Sequence, residues 1–428
     1  MKIAYFSPLS PIKSGISKYS EVNLLPYLEK LCEIDVIIDN NYSPSNEFIK
    51  SNLRIIPYDK FEYSLYDVIF YQVGNSPHHM YIYNALLQYP GVVLLHDPFI
   101  GGLIWNLTIA KNKPELYIEH LVYCLGEKGR KIAENAIASN NYPNFEYTLT
   151  KKLMDCSLAI IVHSDYAKKV ILSEMPQVFI KKINMPIPLI KSKKTAHKKD
   201  FGIDENTLII STFGYIVEYK RLDVVLKVFA RFVQKNVNSK FLLVGSFLND
   251  QYKEEIENII KKLGISDKVI QVGFVEDLES YIQISDIVIQ TRYPTAGETS
   301  IITLELMAAS KPVIVSNTGW FEELPNESVI KVNVDKDEQK SILEAFEKLA
   351  SDKNYKKDMS VNAKKYVQKE HNPEIIAEEF FKFLYLIQNK EEIRYVENIS
   401  SKLKDICIDE SDQGYIDVFS KTLHKVLF

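Results

Sequence analysis

"DIVIQTRYPTAGETSIITLELMAASKPVIVS", residues 286–316, changes character three times. It opens as a short apolar run, breaks into a loop with a proline and a glycine, continues as a helix-like segment and closes on a second apolar run. A strand, a loop, a helix and a strand in that order form a βαβ unit. In an open α/β sheet ligands sit beyond the carboxyl ends of the strands, so the loop before the helix belongs to a binding edge. The helix mouth offers free N–H groups and the positive end of a dipole, which suits an anion such as a diphosphate. Thr299, Ser300 and Ile301 stand at that mouth. Glu298 beside it is either a helix cap or a working carboxylate. Glu305 lies seven residues further on, about two turns in. Among apolar neighbours it is either on the solvent side or held to accept hydrogen bonds from vicinal hydroxyls such as those of a ribose.

The same pattern extends in both directions. Short Ile- and Val-rich runs recur as "KIAYF", "IDVII", "DVIFYQ", "GVVLLH" and "LAIIVH" in the first half. The second half has "LIISTFG", "KFLLVG", "KVIQVG", "DIVIQ", "KPVIVS" and "SVIKV". Near-continuous apolar runs of this length suit parallel strands buried on both faces, with helices such as 222–235 and 251–263 between them. The series breaks once, at "MPIPLIKSKKTAHKKDFGIDENT", where two prolines and a lysine cluster suggest a hinge over 191–200. Two Rossmann-like α/β domains facing each other across a cleft are expected: 1–195 and 196–375. A helical segment follows over 376–428 and could cross back to the first domain.

Composition narrows the function. The chain has 428 residues, 46% hydrophobic and 25% charged, with a formal net charge of -4. That fits a globular protein and argues against a dedicated nucleic-acid binder. Four cysteines are scattered without a CxxC pair, which argues against a zinc site and for reduced thiols. No signal peptide and no transmembrane run is found, so a cytoplasmic protein is expected, with peripheral contact at the inner face of a membrane left open.

A second strand–loop–helix unit, "STFGYIVEYKRLDVVLKVFARF", carries Gly214 in its loop and Lys220 and Arg221 at the start of its helix. Two cations there oppose the helix dipole, so they are either a solvated pair or partners of an anionic ligand. At this point the chain resembles a known family. "RYPTAGETS…LELMAASKPVIVSNTGW…ELP" with "GYIVEYKR" resembles the group-one retaining glycosyltransferases of the GT-B fold, in a subgroup with a GETS motif. "SPLSPIKSGISKYS" resembles their first glycine-containing loop, which puts Gly15 near ligand. "YQVGNSPHH…YPGVVLLHDPF" resembles the segment that carries their cleft histidine, here His96.

The resemblance implies a retaining hexosyltransferase, and because no DxD-like motif stands at a convincing strand end no obligatory metal is expected. The enzyme would move a sugar from a nucleoside-diphosphate donor to a glycan, lipid-linked or protein-linked acceptor, without a cofactor. Glu305 would hold the ribose, Glu298 and His96 would act at the sugar, and Lys220 and Arg221 would meet the diphosphate. Base recognition would use the backbone near Gly273, Phe274 and Val275. Two departures stand out. The usual first carboxylate position falls on Gly297, and the usual Gly-Arg pair reads Gly214-Tyr215. Asp97 is read as shaping its loop, and His163 as a weak candidate at a similar strand end. The rival readings are a GT-B sugar-nucleotide epimerase or phosphorylase, and a non-catalytic partner subunit.

Overall fold

The computed structural model describes residues 1–40, 42–143, 145–189 and 195–389, and within them thirteen strands form two sheets. The first contains β1 (Lys2–Phe6), β2 (Glu33–Ile38), β3 (Arg54–Pro57), β4 (Val68–Val73), β5 (Gly91–Leu95), β6 (Ser157–Val162) and β7 (Ile180–Lys182). The second contains β8 (Leu208–Phe213), β9 (Ser239–Val244), β10 (Val269–Gly273), β11 (Ile287–Gln290), β12 (Val313–Ser316) and β13 (Val329–Val332). Their spatial orders are β3-β2-β1-β4-β5-β6-β7 and β10-β9-β8-β11-β12-β13, and every pairing is parallel. All eleven apolar runs in the sequence are strands. The two strands not foreseen, β3 and β7, are sheet edges with mixed exposure, so they lack a continuous apolar signature.

Each order reverses once, between β1 and β4 and between β8 and β11. A crevice opens at such a reversal, because the flanking crossovers lead to opposite faces. The loop after β1 carries Gly15. The loop after β8 carries Gly214 and Lys220, and the loop after β11 carries Arg292 and Glu298. The reversal points therefore place these residues at the carboxyl edges of the two sheets.

The core has three parts. One covers the outer face of the first sheet and another the outer face of the second. The third runs through both, joining Phe70 and Ile161 to Ile183, Ile187, Leu304 and Phe380. Helix Pro373–Gln388 completes it by returning to the first sheet. Its Phe380 ring lies 5.8 Å from Phe70, Phe383 stacks at 5.6 Å on Phe179, and Glu379 pairs with Lys181 at 3.1 Å. Residues 390–428 and the lysines over 191–194 lie outside the described residues. Among the described residues no helix is long and apolar enough to cross a membrane.

Candidate functional site

The loop 291–300 is fixed at both ends. Arg292 N–H donates to Ser316 Oγ at 2.9 Å, Tyr293 N–H donates to the Tyr219 carbonyl at 2.7 Å, and Thr318 Oγ1 donates to the Arg292 carbonyl at 3.1 Å. Helix Ile301–Ala308 then begins, and Ser300 is its N-cap: Ser300 Oγ accepts from Thr303 N–H. Because Ser300 takes the capping role, Glu298 is free of it. Its carboxylate pairs instead with the Arg292 guanidinium. The second carboxylate oxygen of Glu298 and the Thr299 hydroxyl are buried without a partner. Buried polar atoms of this kind are costly unless something bonds them, so both point to a ligand.

The position of the carboxylate has a steric cause. Gly297 has φ 74°, and a methyl group there would meet the Tyr166 ring at 2.0 Å. No side chain fits at 297 against the facing domain, so the first place that admits one is 298.

Lys220 reaches the same point from the other loop. Its ammonium donates to the Phe213 carbonyl at 2.5 Å, and burial with the neighbouring Arg292 charge pushes its pKa down to about 7, against a pull upward from Glu298. Gly214 makes room for it. At φ 86° the backbone is left-handed, and a methyl group there would stand 3.2 Å from the ammonium. Gly15 is different, since nothing lies within 4 Å of a methyl group placed on it and its φ is not positive. Its need is not conformational.

Arg221 corrects the sequence expectation. It sits at φ 55° as the residue before helix Leu222–Lys235, and this turns its side chain onto Glu338, a buried carboxylate whose two oxygens accept from the guanidinium Nε and Nη2. The cation beside Glu298 and Lys220 is Arg292, which the sequence reading passed over. Only its place at a strand's carboxyl end, six residues before Glu298, could have signalled it.

From the first domain, His96 and Asp97 close the site. His96 Nε2 lies 3.0 Å from Gln72 Oε1, and the ring packs edge-on to Tyr19 at 4.7 Å. Burial, then the nearby His163 and His79, holds its pKa well below the ordinary value, so the imidazole is neutral. Asp97 accepts from Asn75 N–H at 3.0 Å, which shapes the loop as expected. It also faces the second domain, where burial and then the Glu298 charge push its pKa up to about 6. His163 donates to the Ile183 carbonyl at 2.8 Å and is pushed down to about 4 by burial, the pattern of a structural histidine.

Glu305 is 9% exposed and pairs at 2.5 Å with Lys18 from the first domain. The solvent-side alternative is thereby removed. Near it, β10 ends on Gly273 at φ 75°, Phe274 stands 53% exposed, and Val275 packs against the core. The domains are further joined by Glu323, whose two oxygens accept from Asp165 N–H at 3.0 Å and Tyr166 N–H at 2.7 Å at the start of helix Asp165–Glu174. Among the described residues no group of three or more His, Cys, Asp or Glu is arranged to hold a metal ion.

Two facing parallel-sheet domains with the site in the cleft are the GT-B architecture, and solved structures bear this out. Anabaena HepE in complex with UDP and glucose aligns over 90% of this chain and 99% of its own, with TM-score 0.63 and 15% identity. Sucrose-phosphate synthase from Thermosynechococcus elongatus aligns over 90% and 99%, with TM-score 0.59 and 16% identity. At such identities the likeness concerns the fold.

More particularly, residues 193–366 match the family described as glycosyl transferases group 1. An uncharacterized glycosyltransferase of Methanocaldococcus jannaschii is 26% identical over 196 residues, 45% of this chain and 48% of that protein. The capsular polysaccharide biosynthesis glycosyltransferase CapM of Staphylococcus aureus is 26% identical over 248 residues, 54% of this chain and 63% of CapM. The matched region thus spans less than two thirds of either relative.

Proposed function

We propose that the protein is a retaining glycosyltransferase that moves a hexose from a nucleoside-diphosphate sugar to a glycan, lipid-linked or protein-linked acceptor. The observation that carries this reading is the convergence of Lys220, Arg292 and the N-terminus of helix Ile301–Ala308 beside Glu298, opposite His96 and Asp97. Three sources of positive potential meet where a diphosphate would leave, and a carboxylate stands where a sugar would lie. The group-one match over the second domain supports the same reading.

The chemistry follows from charge. Breaking the anomeric carbon–oxygen bond adds a third negative charge to a diphosphate that already carries two. Preorganised donors in a closed cleft stabilise that charge without reorganisation at the moment of reaction. Lys220 and Arg292 would bond the phosphate oxygens, with the Thr299 hydroxyl and the amide of Ile301. Glu298 would stabilise positive charge growing at the sugar, and Glu305 would hold the ribose. The acceptor hydroxyl would attack from the face the diphosphate leaves and give its proton to the departing phosphate oxygen, so the anomeric configuration is kept. Basic side chains do the neutralising work here, so no metal or cofactor is invoked.

The test is direct. The purified chain is incubated with UDP-, GDP-, ADP- and dTDP-hexoses in excess EDTA, with candidate acceptors, and products are read by mass spectrometry and anomeric NMR. Transfer with retention is expected. Activity that appears only when manganese or magnesium is restored overturns the metal-independent part. Interconversion of the donor without acceptor identifies an epimerase instead.

A further inference from the structure

The segment after β1 carries two lysines, Lys13 in its loop and Lys18 at the end of the short helix Gly15–Lys18, and both rest on the second domain. The Lys18 ammonium pairs with Glu305 at 2.5 Å, and the Lys13 ammonium stands 4.4 Å from the centre of the Phe274 ring. Resting on the site assignment above, these two partners are where a ribose and a base would go. We infer that Lys18 occupies the place of the nucleoside at Glu305, and that a nucleoside-diphosphate ligand binds by displacing it.

Three observations carry this. First, Glu305 is buried between Leu304 and Leu306 in an apolar helix, so its carboxylate needs a partner in every state of the protein. Lys18 supplies that partner when no ribose does. A ribose diol uses both carboxylate oxygens, and one of them is already taken. Second, the backbone that presents the lysines is tied down: Lys18 N–H donates to the Ser14 carbonyl at 3.3 Å, and Ser14 Oγ caps helix Gly15–Lys18 by accepting from Ile16 N–H at 3.1 Å. Ser10 donates from N–H and from Oγ to Glu21 at 2.7 and 2.6 Å, Leu9 N–H donates to Tyr42 Oη at 2.9 Å, and Tyr215 Oη donates to the Lys13 carbonyl at 3.4 Å. The exchange is therefore a swing of one flexible side chain. Third, the ammonium has somewhere to go. A cavity of about 240 Å³ lined by Lys18, Ile282, Glu305 and Ala308 opens beside the pair. The Lys18 side chain is already 40% exposed, against 8% for Glu305, so the carboxylate is the fixed member and the lysine the mobile one.

A self-ligand of this kind lowers apparent affinity by the fraction of molecules in which the site is open. It also sorts ligands. A neutral nucleoside has to displace the ammonium with no compensation. A diphosphate keeps the freed charge within its own field, so it loses less. Lys18 would thereby widen the gap between nucleoside and nucleoside diphosphate.

The experiment uses the full chain and isothermal titration. UDP, GDP, ADP and dTDP are titrated into the wild type, and the tightest binder is carried forward with its parent nucleoside. Lys18→Met should tighten the nucleoside about tenfold, which is about 1.4 kcal/mol, and tighten the diphosphate less. Lys18→Arg keeps the ion pair and should stay within about twofold of wild type for both. Melting curves confirm that each variant is folded, and Lys18→Gln replaces Lys18→Met if that one is not. Wild-type binding with unchanged or weaker nucleoside affinity in the Lys18→Met or Lys18→Gln protein overturns the inference and leaves the transferase reading standing. Failure of all four diphosphates to bind the wild type overturns both.

Discussion

At the scale of single residues, the Arg292 guanidinium stands among Lys220, Glu298 and Tyr219, while that of Arg221 is committed to Glu338. The two arginines should therefore fail differently. Charge-assisted hydrogen bonds are worth about 1.5–3 kcal/mol. Arg292→Met is expected to weaken nucleoside-diphosphate binding by about tenfold to a hundredfold. Arg221→Ala is expected to cost about 1.5–3 kcal/mol of stability, by loss of the Glu338 pair, with diphosphate affinity held within about twofold. Lys220 adds a pH signature. Its pKa is about 7, and a bound diphosphate would raise it. Affinity is then full below pH 7 and falls by up to about tenfold per unit as the pH climbs from 7 towards the pKa of the complex. Titration calorimetry between pH 7 and 9 should show that slope in the wild type and not in Lys220→Met. Why Arg221 was visible in the sequence and Arg292 was not has a physical reason. A cation pair at a helix start is a local pattern, but a left-handed φ at Arg221 redirects its side chain, and no periodicity encodes that. Arg292 lies in an irregular loop whose shape is set by Ser316 and Thr318, which are distant in sequence.

At the scale of elements, helix Ile301–Ala308 does two things through residues on opposite sides of its cap. Ser300 satisfies the free N–H of Thr303, so Ser300→Ala should lower stability by about 1 kcal/mol in chemical denaturation. Glu298 precedes the cap and Glu305 lies within the helix, and their proposed tasks separate kinetically. Uniform binding lost on mutation raises KM, while a transition-state interaction lost lowers kcat. Glu305→Gln is expected mainly to raise the donor KM, and Glu298→Gln mainly to lower kcat, in steady-state assays with donor varied. A kcat for Glu298→Gln within about twofold of wild type, roughly 0.4 kcal/mol of barrier, would remove Glu298 from the chemistry. Element by element the sequence was most legible where burial is symmetric. β8, β9, β11 and β12 show as apolar runs because helices cover both of their faces. β3 and β7 are half-wet edges, and their exposed residues hide them.

At the scale of the whole molecule, the domains share one apolar core and also touch across the cleft, through Glu323 on the amides of Asp165 and Tyr166, Lys18 on Glu305, and the Tyr166 ring against Gly297. None of these could be read from either half alone, because each needs the other domain in place. The return of helix Pro373–Gln388 to the first sheet has the same character and a larger effect. Phe380, Phe383, Leu384 and Ile387 are buried there. A fragment of residues 1–189 should therefore be insoluble or molten, with weak near-ultraviolet circular dichroism. Fusing residues 373–389 to it through a flexible linker should restore a cooperative melting transition.

That same helix sets a timetable for the protein in the cell. Phe70 meets Phe380, and the contact spans 310 residues of chain, from 380 less 70. At synthesis rates of roughly 5–20 residues per second, about 15–60 s pass between the emergence of one ring and the other. Throughout that interval the apolar surface around Phe70 faces the crowded exit of the ribosome without its partner. The domain translated before its neighbour is thus finished after it, and chaperone depletion should strike the yield of this protein through the domain that holds Phe70.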